Sequence, residues 1–188
     1  MSCHEVSPKE IAQAIISIIN FLEREKIPAW TTTIQKVIFL WLLSKNKARN
    51  IYRAYLYGPY SDIVSDMITR LQTLKYLDCD INIYQSIARS YHINRKKISS
   101  EILERLRDEY TDLQEILKKL VKINSLNDVK SISNITKIAW IEMFEKVKEY
   151  EEIYNILKKK YLWDLSRNDF DNAYRNWQQI KAYICSQD

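Results

Sequence analysis

Glycine, cysteine and histidine are scarce in this chain of 188 residues, which has one glycine, three cysteines and two histidines. A single glycine excludes a phosphate-cradling loop, a dinucleotide-binding fingerprint and a nucleophile elbow, because each needs more than one glycine at fixed spacing. Cys3, Cys79 and Cys185 lie far apart without a Cys-x-x-Cys pair, and His4 and His92 have no neighbouring ligand at metal spacing. We therefore expect no disulfide framework, no metal site and no cofactor.

Catalytic motifs are missing as well. Carboxylates are numerous, but between residues 101 and 115 they alternate with basic residues, which is the pattern of a solvated helix face. The sequence predicts that the protein is not an enzyme. The catalytic alternative is a nuclease that holds Mg²⁺ with scattered Asp and Glu side chains.

Long hydrophobic runs are absent. No uninterrupted apolar run approaches the ~20 residues that a membrane-spanning helix requires. The first ten residues, MSCHEVSPKE, carry charges and no apolar segment of a secretory signal follows them. We expect a soluble, cytoplasmic protein with no membrane partner.

Positive charge is concentrated in the first half of the chain. Residues 1–97 contain 14 Lys and Arg against 8 Asp and Glu, a balance of +6, whereas residues 98–188 contain 15 against 16, a balance of −1. An excess of positive charge on one part of a protein favours an anionic partner.

Periodicity over the first half predicts the order helix, helix, strand, helix, hairpin. Apolar residues at steps of three and four predict helices, and alternating apolar and polar residues predict strands. The order is that of a winged helix-turn-helix domain. The expected bounds are helices over 8–25, 31–45 and 62–76, a strand over 52–57 and a hairpin over 78–97, with its turn in QSIARS at 85–90.

The one glycine, Gly58, stands between that strand and the third helix. Proline disfavours the α region for the residue before it, so a glycine preceding Pro59 predicts a corner that needs an extended or positive φ. Ser61 is the expected N-cap of the helix, and Asp62 in the first turn is favourable to the helix dipole. On this helix we expect Leu74 to be one of the buried residues.

The pattern of apolar residues beyond position 98 predicts helices only. We expect a long helix over about 99–123, a buried helix over 131–147, a shorter one over 149–161 and a last helix announced by Ser166. The predicted fold class is mainly α with a small β-hairpin, a winged-helix part at 1–97 followed by a helical part at 98–188 packed on it. One continuous domain is the alternative.

The long helix carries a heptad seam of apolar residues. Such a seam predicts either that the helix packs on its own domain or that it forms a homodimer with a second copy. The seam residues are Leu103, Leu106, Tyr110, Leu113, Leu117 and Leu120.

The segments IQKVIFLWLL and YRAYLYGPYSDIVSDMITRLQTLKYL resemble a known family. They are similar to the prokaryotic YwgA-like proteins and the related Panacea (SocA-like) antitoxin domain, in which a Leu-Gln-Lys-Leu helix leads to a strand, a Tyr-Gly-Pro corner and a helix. The resemblance is strongest over 31–77 and implies a winged-helix-like fold. It implies three alternative roles: a regulator, an antitoxin that neutralises a toxin, or an adaptor that delivers a partner to a protease. The matching positions are Gln35, Lys36, Tyr57, Gly58, Pro59, Tyr60 and Ser61, with Ile34 in place of the usual leucine.

A DNA-binding winged helix would place its third helix in the major groove and its hairpin against a neighbouring groove or phosphate. The sequence therefore predicts a transcriptional regulator that binds double-stranded DNA. The candidate contacts on the third helix are Ser65, Thr69, Arg70, Thr73 and Lys75. The candidate contacts on the wing and its exit are Arg89, Arg95, Lys96 and Lys97.

Two carboxylates oppose this interpretation. Asp62 and Asp66 stand at the start of the third helix, the end that approaches base edges and phosphates, where they repel DNA unless they face away. The alternative is a protein-interaction module of the antitoxin or proteolytic-adaptor kind.

Overall fold

Residues 6–82 and 88–186 are described in a computed structural model of the chain. The fold is mainly α with small antiparallel β-hairpins, which confirms the predicted class. The described helices are α1 (Pro8–Arg24), α2 (Thr31–Leu43), α3 (Asp62–Thr73), α4 (Ser100–Glu109), α5 (Thr111–Lys122), α6 (Val129–Phe144), α7 (Tyr150–Lys159) and α8 (Arg167–Ile184). The strands are β1 (Arg53–Tyr55), β2 (Gly58–Tyr60), β3 (Leu77–Asn82) and β4 (Ala88–Ile93), and a 3₁₀ turn lies at Ala48–Asn50.

Serine hydroxyls define the start of several helices. The Oγ atoms of Ser7, Ser61 and Ser166 accept hydrogen bonds from the backbone N–H three residues later, at 3.1, 3.3 and 3.1 Å. Each bond satisfies one of the amides that a helix N-terminus leaves without a carbonyl partner, a contribution of about 1 kcal/mol. The predicted starts of α1, α3 and α8 are thereby confirmed.

Helix α2 lies at the centre of the molecule. Every residue from 33 to 43 is buried, and the helix packs against α1, α3, α5, α6 and α8. A helix that is apolar on all sides must be enclosed by others. Because α2 contacts elements on both sides of position 97, the two parts of the chain share one hydrophobic core.

The predicted corner at Gly58 is itself a strand. β1 covers Arg53–Tyr55 only, and β2 pairs with it in antiparallel register with Tyr55 opposite Gly58. Gly58 has φ +99°, so of the extended and positive φ values expected there it adopts the positive one. The strand prediction over 52–57 was therefore too long, because the chain reverses at residues 56 and 57 and returns through Gly58.

Helix α3 ends earlier than its apolar pattern predicts. It stops at Thr73, and Lys75 adopts φ 61°, the left-handed conformation that ends a helix. Lys75 therefore lies beyond the helix, not on its exposed side as predicted. Leu74, expected to be buried, is 61% exposed because it belongs to this terminating turn.

The predicted hairpin is present. β3 and β4 are antiparallel, with Leu77 opposite Ile93 and Ile81 opposite Arg89. The turn was predicted over 85–90, but residues 88–90 belong to β4, and the remainder of that prediction, 85–87, falls outside the described residues. The hairpin is joined to the helical body by the N–H of Tyr91, which donates to the carbonyl of residue 29 at 3.1 Å.

The predicted long helix is two helices. The chain turns at Tyr110, with φ −111° and ψ 44°, so α4 and α5 each contribute a separate face to the core. All six seam residues are buried within the chain, none more than 8% exposed. Of the two alternatives, the structure shows the seam packed on its own domain, and these six side chains are not exposed for pairing with a second copy.

Helix α6 links the last two helices, α7 and α8, to the central helix α2. α6 packs against α2, α7 and α8, in agreement with the buried helix predicted at 131–147. In α8 the buried residues are those that its periodicity predicts: Phe170, Ala173, Trp177, Ile180 and Ile184.

Candidate functional site

The outward face of α3 is mainly polar. Thr69, Arg70 and Thr73 are exposed and Ser65 is half-buried, so the structure places these four predicted contacts on one exposed region of the helix. The hydroxyls of Thr69 and Thr73 donate to backbone carbonyls four residues earlier, at 3.1 and 2.9 Å. Each hydroxyl oxygen keeps its lone pairs available to accept a hydrogen bond from a ligand.

The two acidic residues of α3 differ in their surroundings. Asp62 pairs with Arg53 of β1 at 2.9 Å, which offsets its charge. Asp66 is exposed, and its spacing from Thr69 and Thr73 places it on the same helix face. Asp66 is therefore the carboxylate that would repel a polyanion bound at this face.

Strand β4 carries an exposed arginine close to the outer end of the hairpin. Arg89 lies opposite Ile81, and both are exposed. Leu77, Cys79 and Ile81 alternate onto one face of β3, of which Leu77 is buried. Burial raises the pKa of the Cys79 thiol, and the positive charge of Arg89 opposes that shift. Because Arg89 pairs with Ile81, it lies on the same face of the hairpin as the buried Leu77.

The three basic residues after β4 do not share one role. The Arg95 guanidinium binds Glu23 of α1 at 2.5 Å and the Asn20 side-chain oxygen at 3.3 Å. Glu23 also accepts a hydrogen bond from the backbone N–H of Ile93 at 2.7 Å, so the pair fixes the hairpin to α1. Lys96 and Lys97, by contrast, are exposed in the turn between β4 and α4. We name Thr69, Arg70, Thr73, Arg89, Lys96 and Lys97 the wing surface.

The residues of the family-like motif hold the β1–β2 hairpin against α2. The Gln35 amide donates to the carbonyl of Ser61 at 2.9 Å and accepts from the Ser61 N–H at 3.2 Å. The Tyr52 hydroxyl donates to the Gln35 carbonyl at 2.7 Å, and burial raises the pKa of that tyrosine. These paired bonds fix the entry of the chain into α3, so we assign them a structural role.

Two buried lysines face the glycine corner. Lys36 of α2 donates to the Pro59 carbonyl at 2.6 Å, and a Cβ on Gly58 would lie 3.5 Å from the Lys36 Nζ and 3.1 Å from the Lys137 Cγ. Burial, followed by the charge of Lys137, lowers the pKa of Lys36 to about 7. Burial, followed by the charge of Lys130, lowers the pKa of Lys137 to about 8. We call Lys36, Gly58, Pro59 and Lys137 the lysine corner.

An apolar cluster is exposed beside this corner. Tyr55, Leu56 and Tyr57 at the end of the β1–β2 hairpin are 48%, 70% and 71% exposed, and Leu162 is 81% exposed. The Trp163 indole donates to the Tyr55 carbonyl at 2.7 Å, which brings the loop before α8 next to the hairpin. We name Tyr55, Leu56, Tyr57 and Leu162 the apolar tip.

Sequence reasoning missed the apolar tip and Lys137. A lysine within the apolar run ITKIAWIEMF was a usable signal, because a buried charged residue needs a reason. Lys137 lies 79 positions from Gly58 in the sequence, so no pattern within a short window indicates that the two residues are close in space. The pairing of Arg95 with Glu23 was equally non-local.

In residues 6–82 and 88–186, no group of three or more His, Cys, Asp or Glu side chains is placed to hold a metal ion. Within the same residues, no helix has the length and apolarity needed to cross a membrane. No protein-family model and no curated protein matches this chain. The resemblance to YwgA-like proteins and the Panacea domain thus stays a prediction.

Proposed function

We propose that the protein binds double-stranded DNA through the wing surface, with α3 in the major groove and the β3–β4 hairpin as the wing. The observation that carries this proposal is that the exposed polar face of α3 and the exposed cations of the following hairpin belong to adjoining elements, since β3 packs against α3. Arg89 lies near the outer end of that hairpin, and Lys96 and Lys97 lie at its base. Such cations bind phosphates and give a sequence-independent affinity, while Thr69, Arg70 and Thr73 lie where base edges would be contacted. We further propose that the protein acts as a transcriptional regulator in the cytoplasm.

Neutralising Arg89, Lys96 and Lys97 should weaken the binding of DNA whatever its base sequence. In the triple variant Arg89→Gln, Lys96→Gln, Lys97→Gln we expect the slope of log K against log salt to change by about +2.7, since each lost phosphate contact removes about 0.9. Fluorescence anisotropy with a labelled duplex at several salt concentrations measures this slope. Arg95 is left intact because it fixes the hairpin to α1.

A second triple variant, Lys122→Gln, Lys159→Gln, Arg175→Gln, is the matched control, because it removes the same charge from exposed positions in the second half. We expect it to bind DNA as the native protein does. Asp66→Asn should bind several-fold more tightly, since it removes a carboxylate from the α3 face. Equal loss in both triple variants would contradict binding through the wing surface.

A protein partner is the second candidate function, and the apolar tip is the observation that favours it. Large exposed apolar side chains gathered in one place are typical of protein interaction sites. In this alternative the chain acts as an antitoxin or a proteolytic adaptor, and the tip docks on the toxin or the delivered protein.

The apolar tip can be tested separately from DNA binding. We expect Leu56→Ser with Leu162→Ser to abolish co-purification of a stoichiometric partner from source cells, with DNA affinity unchanged, because the exposed apolar contact area is lost. The control Ile102→Ser removes an exposed apolar side chain on α4. Retention of the partner by the double variant would exclude the tip as its docking site.

A further inference from the structure

Three arginines from three different elements line one small cleft. Arg24 lies at the end of α1, Arg95 follows the β3–β4 hairpin and Arg107 lies on α4, and together they line a cleft of about 220 Å³. The α4 residues in its lining are spaced at steps of three and four, which places them on one side of that helix, towards α1. The full lining adds Asn20, Ser100, Leu103 and Glu104.

The charges within the cleft favour an anion. Glu104 is the one carboxylate among the lining residues. Two further carboxylates engage its arginines from outside: Glu23 binds Arg95, and Asp108 binds the Nε of Arg107 at 3.2 Å in an exposed pair. A guanidinium has five N–H groups, so these contacts leave donors free on both arginines. The side chain of Arg24 has no hydrogen bond or ion pair with another described residue.

The start of α4 adds a further feature of phosphate sites. Ser100 is the first residue of α4 and lines the cleft. The first amides of a helix lack carbonyl partners and form its positive end, which favours a phosphate group. Leu103, which is 4% exposed, provides an apolar side to the cleft, and Ser100 and Asn20 provide neutral polar groups.

We infer that the cleft between α1 and α4 binds a phosphate group, held by Arg24, Arg95 and Arg107. Planar guanidinium groups bind phosphate oxygens in pairs, and three of them around one cleft match a multiply charged anion better than a carboxylate or chloride. The group could be carried by a small phosphorylated molecule or by a nucleic-acid backbone, since the chemistry is shared. The site does not depend on DNA binding by the wing surface.

Inorganic pyrophosphate is the probe that tests the cleft. At constant ionic strength set with potassium chloride, we expect pyrophosphate to raise the melting temperature and to bind saturably in isothermal titration calorimetry. Arg24→Gln and Arg107→Gln should each weaken binding about tenfold, because each loses charge-assisted hydrogen bonds. Glu104→Gln should strengthen binding, because it removes the carboxylate of the cleft.

Arg175→Gln is the matched control, since it neutralises an exposed arginine on α8, away from the lining, and we expect unchanged pyrophosphate affinity. The inference would be overturned if chloride bound as tightly as pyrophosphate. It would also be overturned if Arg24→Gln and Arg107→Gln left the affinity for pyrophosphate unchanged. The same two variants titrated with duplex DNA identify the source of the phosphate. Weaker duplex binding assigns it to a nucleic-acid backbone, and unchanged duplex binding assigns it to a small phosphorylated molecule.

Discussion

Gly58→Val should lower the melting temperature by about 10 °C or more. The φ of +99° at Gly58 is one that a β-branched residue rarely adopts, at a cost of about 1–3 kcal/mol. A Cβ there would also lie 3.1 Å from the Lys137 Cγ and 3.5 Å from the Ser133 carbonyl oxygen. Together the strain and the crowding should cost on the order of 3 kcal/mol, which in a chain of this size gives a shift of that order.

Tyr57→Val is the matched control for this substitution. It places the same side chain at the adjacent position, which is 71% exposed and does not have a positive φ. We expect its melting temperature to stay within a few degrees of the native value, as for other exposed substitutions. Equal melting temperatures for Gly58→Val and the native protein in a thermal scan would refute the structural role of the corner.

The second large effect is a rise in stability between pH 7 and pH 9.5. Burial and the charge of Lys137 lower the pKa of Lys36 to about 7 in the folded protein, against 10.5 for an ordinary lysine. Between these values the unfolded chain binds more protons than the folded chain, so the free energy of unfolding increases with pH. For Lys36 alone the rise is on the order of 3 kcal/mol. Lys137, with its pKa lowered to about 8, acts in the same direction.

The neutral amine of Lys36 can still donate to the Pro59 carbonyl, so deprotonation does not break the contact that holds the corner. Lys36→Met should remove much of the pH dependence, because it removes the group that titrates. The exposed Lys159→Met should keep it. Urea unfolding at pH 7.0, 8.0 and 9.5 gives the free energies. The difference between the native protein and Lys36→Met isolates the lysine contribution, because tyrosines that begin to ionise in the unfolded chain near pH 9.5 affect both proteins alike.

A flat or falling stability over this range would mean that Lys36 and Lys137 stay charged in the folded protein. Equal slopes for Lys36→Met and the native protein would assign the pH dependence to other groups. Either result would contradict the burial of these two amines beside Gly58.

Local sequence signals predicted much of the fold. Serine caps gave the starts of α1, α3 and α8, and three-and-four spacing gave the buried face of α8, because these signals act within one or two turns of a helix. The break at Tyr110 was missed. The heptad spacing continues through that residue without a glycine or proline, and it is packing of α4 and α5 on α1 and α2 that sets the turn.

The candidate site could be predicted only in part. Thr69, Arg70 and Thr73 follow from helical spacing once α3 is located. The approach of Lys137 to Gly58 and the pairing of Glu23 with Arg95 join residues far apart in sequence, so no pattern within a window reveals them. The exposed tip at Leu56 and Leu162 likewise depends on which faces the core leaves uncovered.

Fluorescence anisotropy of the native protein with an A·T-rich duplex, at 50 and 200 mM salt, tests DNA binding by the wing surface most directly. With phosphate contacts from Arg89, Lys96 and Lys97, the slope of log K against log salt should be roughly −2.7, so affinity should fall on the order of fortyfold. Absence of binding at 50 mM salt, or binding that salt leaves unchanged, would contradict the proposal and make the apolar tip the leading functional surface.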